Sequence, residues 1–175
     1  QVTARQWEWR MRYAAEAVKE RIEAEVTGGR AGKAYFEGIV DLAVRLRTGY
    51  AEVLHCPSAS VALTGSTTDG VNTVIAGLDL HAGEEILTSD EEHPGLLAPL
   101  ARAQRLHGVI VRVAPFAELV GAVTPATRLI ATSHVSWVSG RAIDDAALRA
   151  TGIPFLLDAA KGIGAVPVDV AALGC

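Results

Sequence analysis

Cysteine is scarce in this chain. Cys56 and Cys175 are the only two among 175 residues. That rules out a disulfide framework, and their placement lacks metal-ligand spacing. Such usage fits a reducing, cytoplasmic setting. An excess of basic charge is also missing: 16 Lys and Arg stand against 20 Asp and Glu, a net charge of −4. With no basic run, nucleic acid is not an expected partner. No apolar run is long enough for a membrane span, and no signal-peptide pattern opens the chain. Repeats and low-complexity segments are lacking too. Lysine occurs only at Lys19, Lys33 and Lys161. What remains is a globular composition, half hydrophobic and about one-fifth charged, with enough residues to close a core.

The first 56 residues read as a helical segment. Trp7, Met11, Ala14, Val18 and Ile22 recur at steps of three and four, an apolar stripe on one helix that Thr27-Gly28-Gly29 ends. Trp7 and Trp9 read as packing residues. Phe36, Val40, Ala43, Leu46 and Tyr50 repeat the pattern in a second helix that closes before Pro57. Both helices have faces that suit a sheet or another subunit.

From residue 61 the rhythm changes to strand, loop and helix. Strands are expected at Val61–Thr64, Glu85–Thr88, Val109–Val113, Arg128–Thr132 and Phe155–Leu157. Helices are expected at Val71–Leu78, Leu96–His107 and Asp144–Ala150, with a short one around Phe116–Val120. This alternation predicts an α/β domain with a mostly parallel sheet flanked by helices on both faces. Phe155, Leu156 and Leu157 read as a strand buried on both faces, with Asp158 at its carboxyl end, where ligands of open α/β sheets gather.

Four loops after strands carry the polar residues. Thr64-Gly65-Ser66-Thr67-Thr68-Asp69-Gly70 opens a helix. Free N–H groups and small hydroxyl side chains there suit a phosphate, although Thr67 or Thr68 also reads as an ordinary cap. Asp69 disfavours an anion unless it points away. The loop lacks a P-loop lysine and a dinucleotide fingerprint. Ser89-Asp90-Glu91-Glu92-His93-Pro94-Gly95 places a histidine among acids, either a flat stacking surface and proton carrier or a turn residue before proline. A metal site from Asp90, Glu91 and His93 is weak, because neighbouring side chains diverge. In Thr132-Ser133-His134-Val135-Ser136-Trp137, His134 and Ser136 share one side if the strand continues. The fourth loop carries Asp158 and Lys161. The carboxylate there either partners a cationic ring nitrogen or caps the next turn.

Four motifs in order carry a family resemblance: Leu-Thr-Gly-Ser-Thr-Thr-Asp-Gly (63–70), Thr-Ser-Asp-Glu-Glu-His-Pro-Gly (88–95), Thr-Arg-Leu-Ile-Ala-Thr-Ser-His-Val-Ser-Trp (127–137) and Leu-Leu-Asp-Ala-Ala-Lys-Gly-Ile-Gly-Ala-Val-Pro-Val-Asp-Val (156–170). Together they resemble the large domain of class-V aminotransferase-fold enzymes, the fold type I group that uses pyridoxal 5′-phosphate (PLP). The wording at His93-Pro94 and Ser136-Trp137 is most similar to the isopenicillin-N-epimerase-like and cysteine-lyase-like branches. The resemblance implies a PLP-binding domain over residues 57–175 and an enzyme acting on an amino acid by transfer, epimerisation, or cleavage at Cβ or sulfur. It also implies a homodimer. Ser66, Thr67 and Thr68 are then part of the phosphate cup. His93 stacks on the pyridine ring and helps move protons, Asp158 pairs with the ring nitrogen, and Ser136 and Lys161 face the phenolic oxygen.

Two departures stand out. The family usually has glutamine at the place of Lys161, and desulfurase-like members usually have asparagine where Trp137 stands. The Schiff-base lysine of the family falls downstream of Cys175, so the chain is expected to be a fragment, inactive alone and prone to aggregate. An inactive module of the same fold and a phospho-ligand-binding α/β domain are the alternative readings.

Overall fold

The computed structural model describes the backbone of residues 2–174 and the side chains of residues 14–174. The chain forms two compact units, one ending at Leu46 and the other beginning at Arg47.

The first unit contains α1 (Val2–Gly28) and most of α2 (Lys33–Leu54). The apolar stripe expected on α1 is not covered where it is described: Val18 is 58% and Ile22 50% exposed. The side chains of Trp7, Trp9 and Met11 lie outside the described residues. On α2, Phe36 and Val40 are both 61% exposed.

In the second unit the order is α3 (Thr67–Gly77), β1 (Glu85–Ser89), α4 (Pro94–His107), β2 (Ile110–Ala114), β3 (Thr127–Ser133), α5 (Asp145–Ala150), β4 (Phe155–Asp158) and α6 (Val170–Leu173). Single 3-10 turns at Phe116–Glu118 and Val120–Ala122 take the place of the short helix expected there. The four strands form one sheet in the order β2-β1-β3-β4, and every pairing is parallel. This is the α/β architecture expected from the sequence.

Alternation along the strands explains the two cores. Ile86, Leu129 and Ala131 point to one face and meet Val71 and Ile75 of α3 with Leu96, Leu100 and Ala103 of α4. Leu87 and Ile130 point to the other face and meet Phe116, Leu119, Ile143 and Leu148 of α5. Pro94 at the first position of α4 fits its fixed φ, and the left-handed Gly108 ends that helix.

Two sequence expectations fail. Residues 61–64 are not a strand; among the described residues nothing pairs with them, and the side chain of Thr64 bonds the carbonyl of Ser66 instead. The segment Phe155–Leu157 is only partly buried, because β4 is the edge of this sheet and has a neighbour only in β3. No helix among the described residues is long and apolar enough to cross a membrane.

Candidate functional site

The sheet sets the site before any side chain does. β1 has β2 on one side and β3 on the other, so the chain's winding direction reverses between β1 and β3. Open α/β sheets bind ligands outside the carboxyl ends of their strands at such a reversal. Register brings the polar ends level: Ser89 lies beside Ala114, and Ser133 beside Asp158. A cavity of about 490 Å³ opens over these ends, lined by Ser66, Thr67, Thr68, His93, Asp158 and Lys161 together with Gly95, Ser133, Val135, Trp137 and Ala160. That is the size of a small-molecule site, ~300–1,000 Å³. A larger cleft of about 740 Å³ lies within the first unit, but its Arg21, Glu25 and Arg30 bond to one another rather than facing a common ligand.

Ser66 caps α3, its Oγ accepting from the Asp69 N–H at 3.1 Å. The Ser66 hydroxyl hydrogen remains a donor, and among the described residues the backbone N–H groups of Thr67 and Thr68 have no acceptor. The helix start thus offers donors and positive dipole character to an anion. Asp69 does not line the cavity. Its carboxylate folds back over Gly65.

His93 caps α4, with Nδ1 accepting from the Gly95 N–H at 3.0 Å. The neutral ring therefore carries its proton on Nε2. Its other neighbour is Trp137, edge to face, with ring centroids 5.1 Å apart and planes at 81°. Asp158 closes β4 and is 9% exposed. Oδ1 accepts from the Ala160 N–H at 3.0 Å, and its backbone carbonyl accepts from His134 at 2.9 Å. Among the described residues nothing bonds Oδ2, and Asp158 lines the cavity. Lys161 is exposed at the wall and has no ion-pair partner among the described residues.

Ser136 is not brought to the cavity. β3 ends at Ser133, but the alternation runs on: Ser133, Val135 and Trp137 line the cavity, and His134 and Ser136 do not. The Ser136 hydroxyl donates to Glu91 instead. His134 is also turned inward, 2% exposed, with Nε2 3.4 Å from Asp145. Gly162 lies so close to its ring that a Cβ would fall 2.6 Å from Nδ1. The three residues of the weak metal arrangement go separate ways. Asp90 accepts from the Phe116 N–H, Glu91 from serine hydroxyls and His93 from Gly95.

Sequence reasoning missed the two glutamates as builders of the site. The buried Glu92 carboxylate accepts from the hydroxyls of Ser89, Thr132 and Ser133 and from the Ser133 N–H. It ties the end of β1 to the end of β3 directly beneath the cavity. Glu91 accepts from Ser136 and Ser139, and these hydrogen bonds hold its carboxyl below the usual glutamate value. The signal available was two adjacent acids before a histidine, with a hydroxyl-rich segment elsewhere to satisfy them.

Known proteins share this fold. The chain is 32% identical to a cysteine desulfurase of Yersinia pestis over 74% of its own length and 36% of that protein's. Among solved structures, the cystine C-S lyase C-DES, in complex with its product cysteine persulfide, superposes with a TM-score of 0.85 and 29% identity over 91% of this chain and 47% of that one. The cysteine desulfurase CsdA from Escherichia coli follows at a TM-score of 0.75 and 26% identity, over 91% and 45% of the two chains. The chain therefore spans less than half the length of the relatives it matches. The family model for aminotransferase class-V matches residues 15–175; the chain belongs to the aminotransferase class-V family.

Proposed function

We propose that this chain is the cofactor-binding part of a PLP-dependent enzyme that acts on a sulfur-containing amino acid, breaking a C–S bond or one at Cβ. One observation carries the reading: a single cavity joins a helix start with free N–H donors, a histidine ring and a carboxylate with an unpartnered oxygen. Each part fits one part of the cofactor. The start of α3, with Ser66, Thr67 and Thr68, suits a phosphate. The free oxygen of Asp158 suits a protonated ring nitrogen, since a nearby negative charge favours the charged form.

When bound, PLP supplies an electron sink for a carbanion at the substrate's Cα. The chain's own residues bind, orient and carry protons. His93 would cover one face of the bound ring, with Nε2–H left as a donor because Gly95 occupies Nδ1. Lys161 brings a positive charge to the cavity wall, suited to a phenolate oxygen. The cystine C-S lyase and the desulfurases among the relatives support chemistry at sulfur. Trp137, where desulfurase-like members usually have asparagine, favours the lyase branch. Ser136 stays assigned to the cofactor only if it leaves Glu91. A homodimer in the reducing cytoplasm completes the reading, with the exposed Phe36 and Val40 as contact candidates.

The test is titration with PLP, followed by visible absorbance and Trp fluorescence, in the parent chain and in Asp158→Asn. A saturable spectral change that weakens about tenfold or more in the variant, at unchanged thermal stability, is the expected result. Equal binding by parent and variant would remove Asp158 from the site. No binding by the parent would end the PLP reading for this chain.

A further inference from the structure

The turn that carries Trp137 is held by Glu91. The Ser136 hydroxyl donates to the Glu91 carboxylate and accepts from the N–H groups of Val138 at 3.1 Å and Ser139 at 3.0 Å. The Ser139 hydroxyl donates to the same carboxylate oxygen at 2.5 Å. Trp137 sits between these two serines and meets the His93 ring edge to face. His93 itself lies two residues beyond Glu91. One carboxylate thus fastens the loop after β1 to the loop after β3 at the point where their aromatic rings touch.

We propose that Glu91 is a positioning residue: through Ser136 and Ser139 it holds Trp137 against His93, and so fixes the ring face that His93 turns to the cavity. Ser136 is 2% exposed, so its hydroxyl has no ready exchange with water. The buried Ser136 hydroxyl needs an acceptor, and Glu91 supplies it while also taking the Ser139 hydroxyl. Charge-assisted hydrogen bonds of this kind are short and strong. A favourable edge-to-face pair adds to burial. Without Glu91, the turn keeps its backbone bonds between Ser136 and Arg141 and between Gly140 and Ser136, but it loses the side-chain tie to the loop of His93. Nothing in the arrangement requires Glu91 to touch substrate or cofactor.

The proposal rests on the PLP reading for its functional consequence, but its structural core can be measured without cofactor. The test uses the full chain with Trp7→Phe and Trp9→Phe, which leaves Trp137 as its only tryptophan. Near-ultraviolet circular dichroism and emission of Trp137 are recorded with and without His93→Ala, in backgrounds carrying Glu91, Glu91→Ala or Ser139→Ala. With Glu91 present, removing the His93 ring changes the Trp137 signal. In Glu91→Ala that response is expected to vanish, and in the milder Ser139→Ala, at an exposed position, to shrink. An undiminished response in both would overturn the proposal. PLP affinity, read by absorbance, is expected to fall about threefold to tenfold in Glu91→Ala through loss of the ordered ring face. Unchanged affinity alongside a lost Trp137 response would overturn the link to the cofactor. Failure of the parent to bind PLP would instead strike the proposed function and leave the Glu91 anchor standing.

Discussion

Gly95 and Thr68 approach so closely that a methyl group on Gly95 would fall 2.8 Å from Thr68 Oγ1. The same methyl would lie 3.1 Å from Nδ1 of His93. This one backbone position therefore joins the hydroxyls at the start of α3 to the His93 ring. Gly95→Ala has two opposed effects. Alanine favours the helix by up to about 1 kcal/mol over glycine, and Thr68 relieves the clash by rotating. That rotation withdraws Oγ1 from the cavity. Thermal stability is expected to stay within about 1 kcal/mol of the parent, while PLP affinity drops roughly tenfold. A melting curve and a PLP titration on one preparation separate these effects. A large loss of stability with intact affinity would contradict the argument.

Glu92 supports the site from below. Removing its carboxylate leaves the buried hydroxyls of Ser89, Thr132 and Ser133 and the Ser133 N–H to find other partners in a dry place. Hydroxyls can turn, but the Ser133 N–H cannot. A buried unsatisfied group costs about 1–3 kcal/mol, so Glu92→Ala is expected to lose roughly 2–4 kcal/mol. Urea unfolding reads this as a lower midpoint at an unchanged slope. A loss of a few tenths would show that the network closes over the gap.

The opposite end of the sheet answers to acid. Glu85, 7% exposed at the start of β1, receives Arg112 through two hydrogen bonds of 2.6 and 2.9 Å, with Thr127 adding a third. The Arg112 guanidinium foremost, against the cost of burial, brings the Glu85 carboxyl from 4.5 down to about 2. A depressed value means that the folded chain holds fewer protons than the unfolded one between those limits. The stabilisation is then complete above about pH 4.5 and is lost as pH falls toward about 2. Glu85→Gln should melt earlier at neutral pH, by about 1.5–3 kcal/mol for hydrogen bonds to a charged group. Its melting temperature should also fall less steeply between pH 4.5 and 2 than the parent's. Parallel pH profiles would place the acid sensitivity elsewhere.

Much of this arrangement is legible in the sequence because periodicity and position are local signals. The runs around Ile86, Val111 and Ile130 announced strands, and Asp158 announced a strand end. A helix after the hydroxyl-rich loop at Gly65 followed from residue types, but its cap is Ser66 rather than Thr67 or Thr68, and the capping role of His93 was not read. What was hidden depends on partners distant in sequence. Phe155, Leu156 and Leu157 are apolar enough for a buried strand, yet their burial is decided by whether a neighbour lies beyond β4. Val61–Thr64 has the composition of a strand but no pairing partner among the described residues. Ser136 was placed at the cofactor by the family resemblance; the alternation itself runs on past Ser133, with Val135 and Trp137 lining the cavity and His134 and Ser136 both buried away from it. Glu91 and Glu92 look like surface acids until the serines and threonines of β3 and its loop close on them.

The edge of the sheet at β2 yields the last expectation. Ile110 is 52% and Val113 55% exposed on this outermost strand, which pairs only with β1. An exposed β-branched edge with free N–H and carbonyl groups is a template for another chain. Arg112, between them, does not guard that edge, because its guanidinium is drawn onto Glu85. Val113→Lys puts a charge where edge-to-edge pairing needs close approach, and at an exposed site it leaves the core untouched. Its stability should remain within about 0.5 kcal/mol of the parent. Static light scattering across a concentration series should show assembly displaced to higher concentration. If both chains associate identically, β2 is not the surface through which they meet, and the exposed residues of α2, Phe36 and Val40, become the next to substitute.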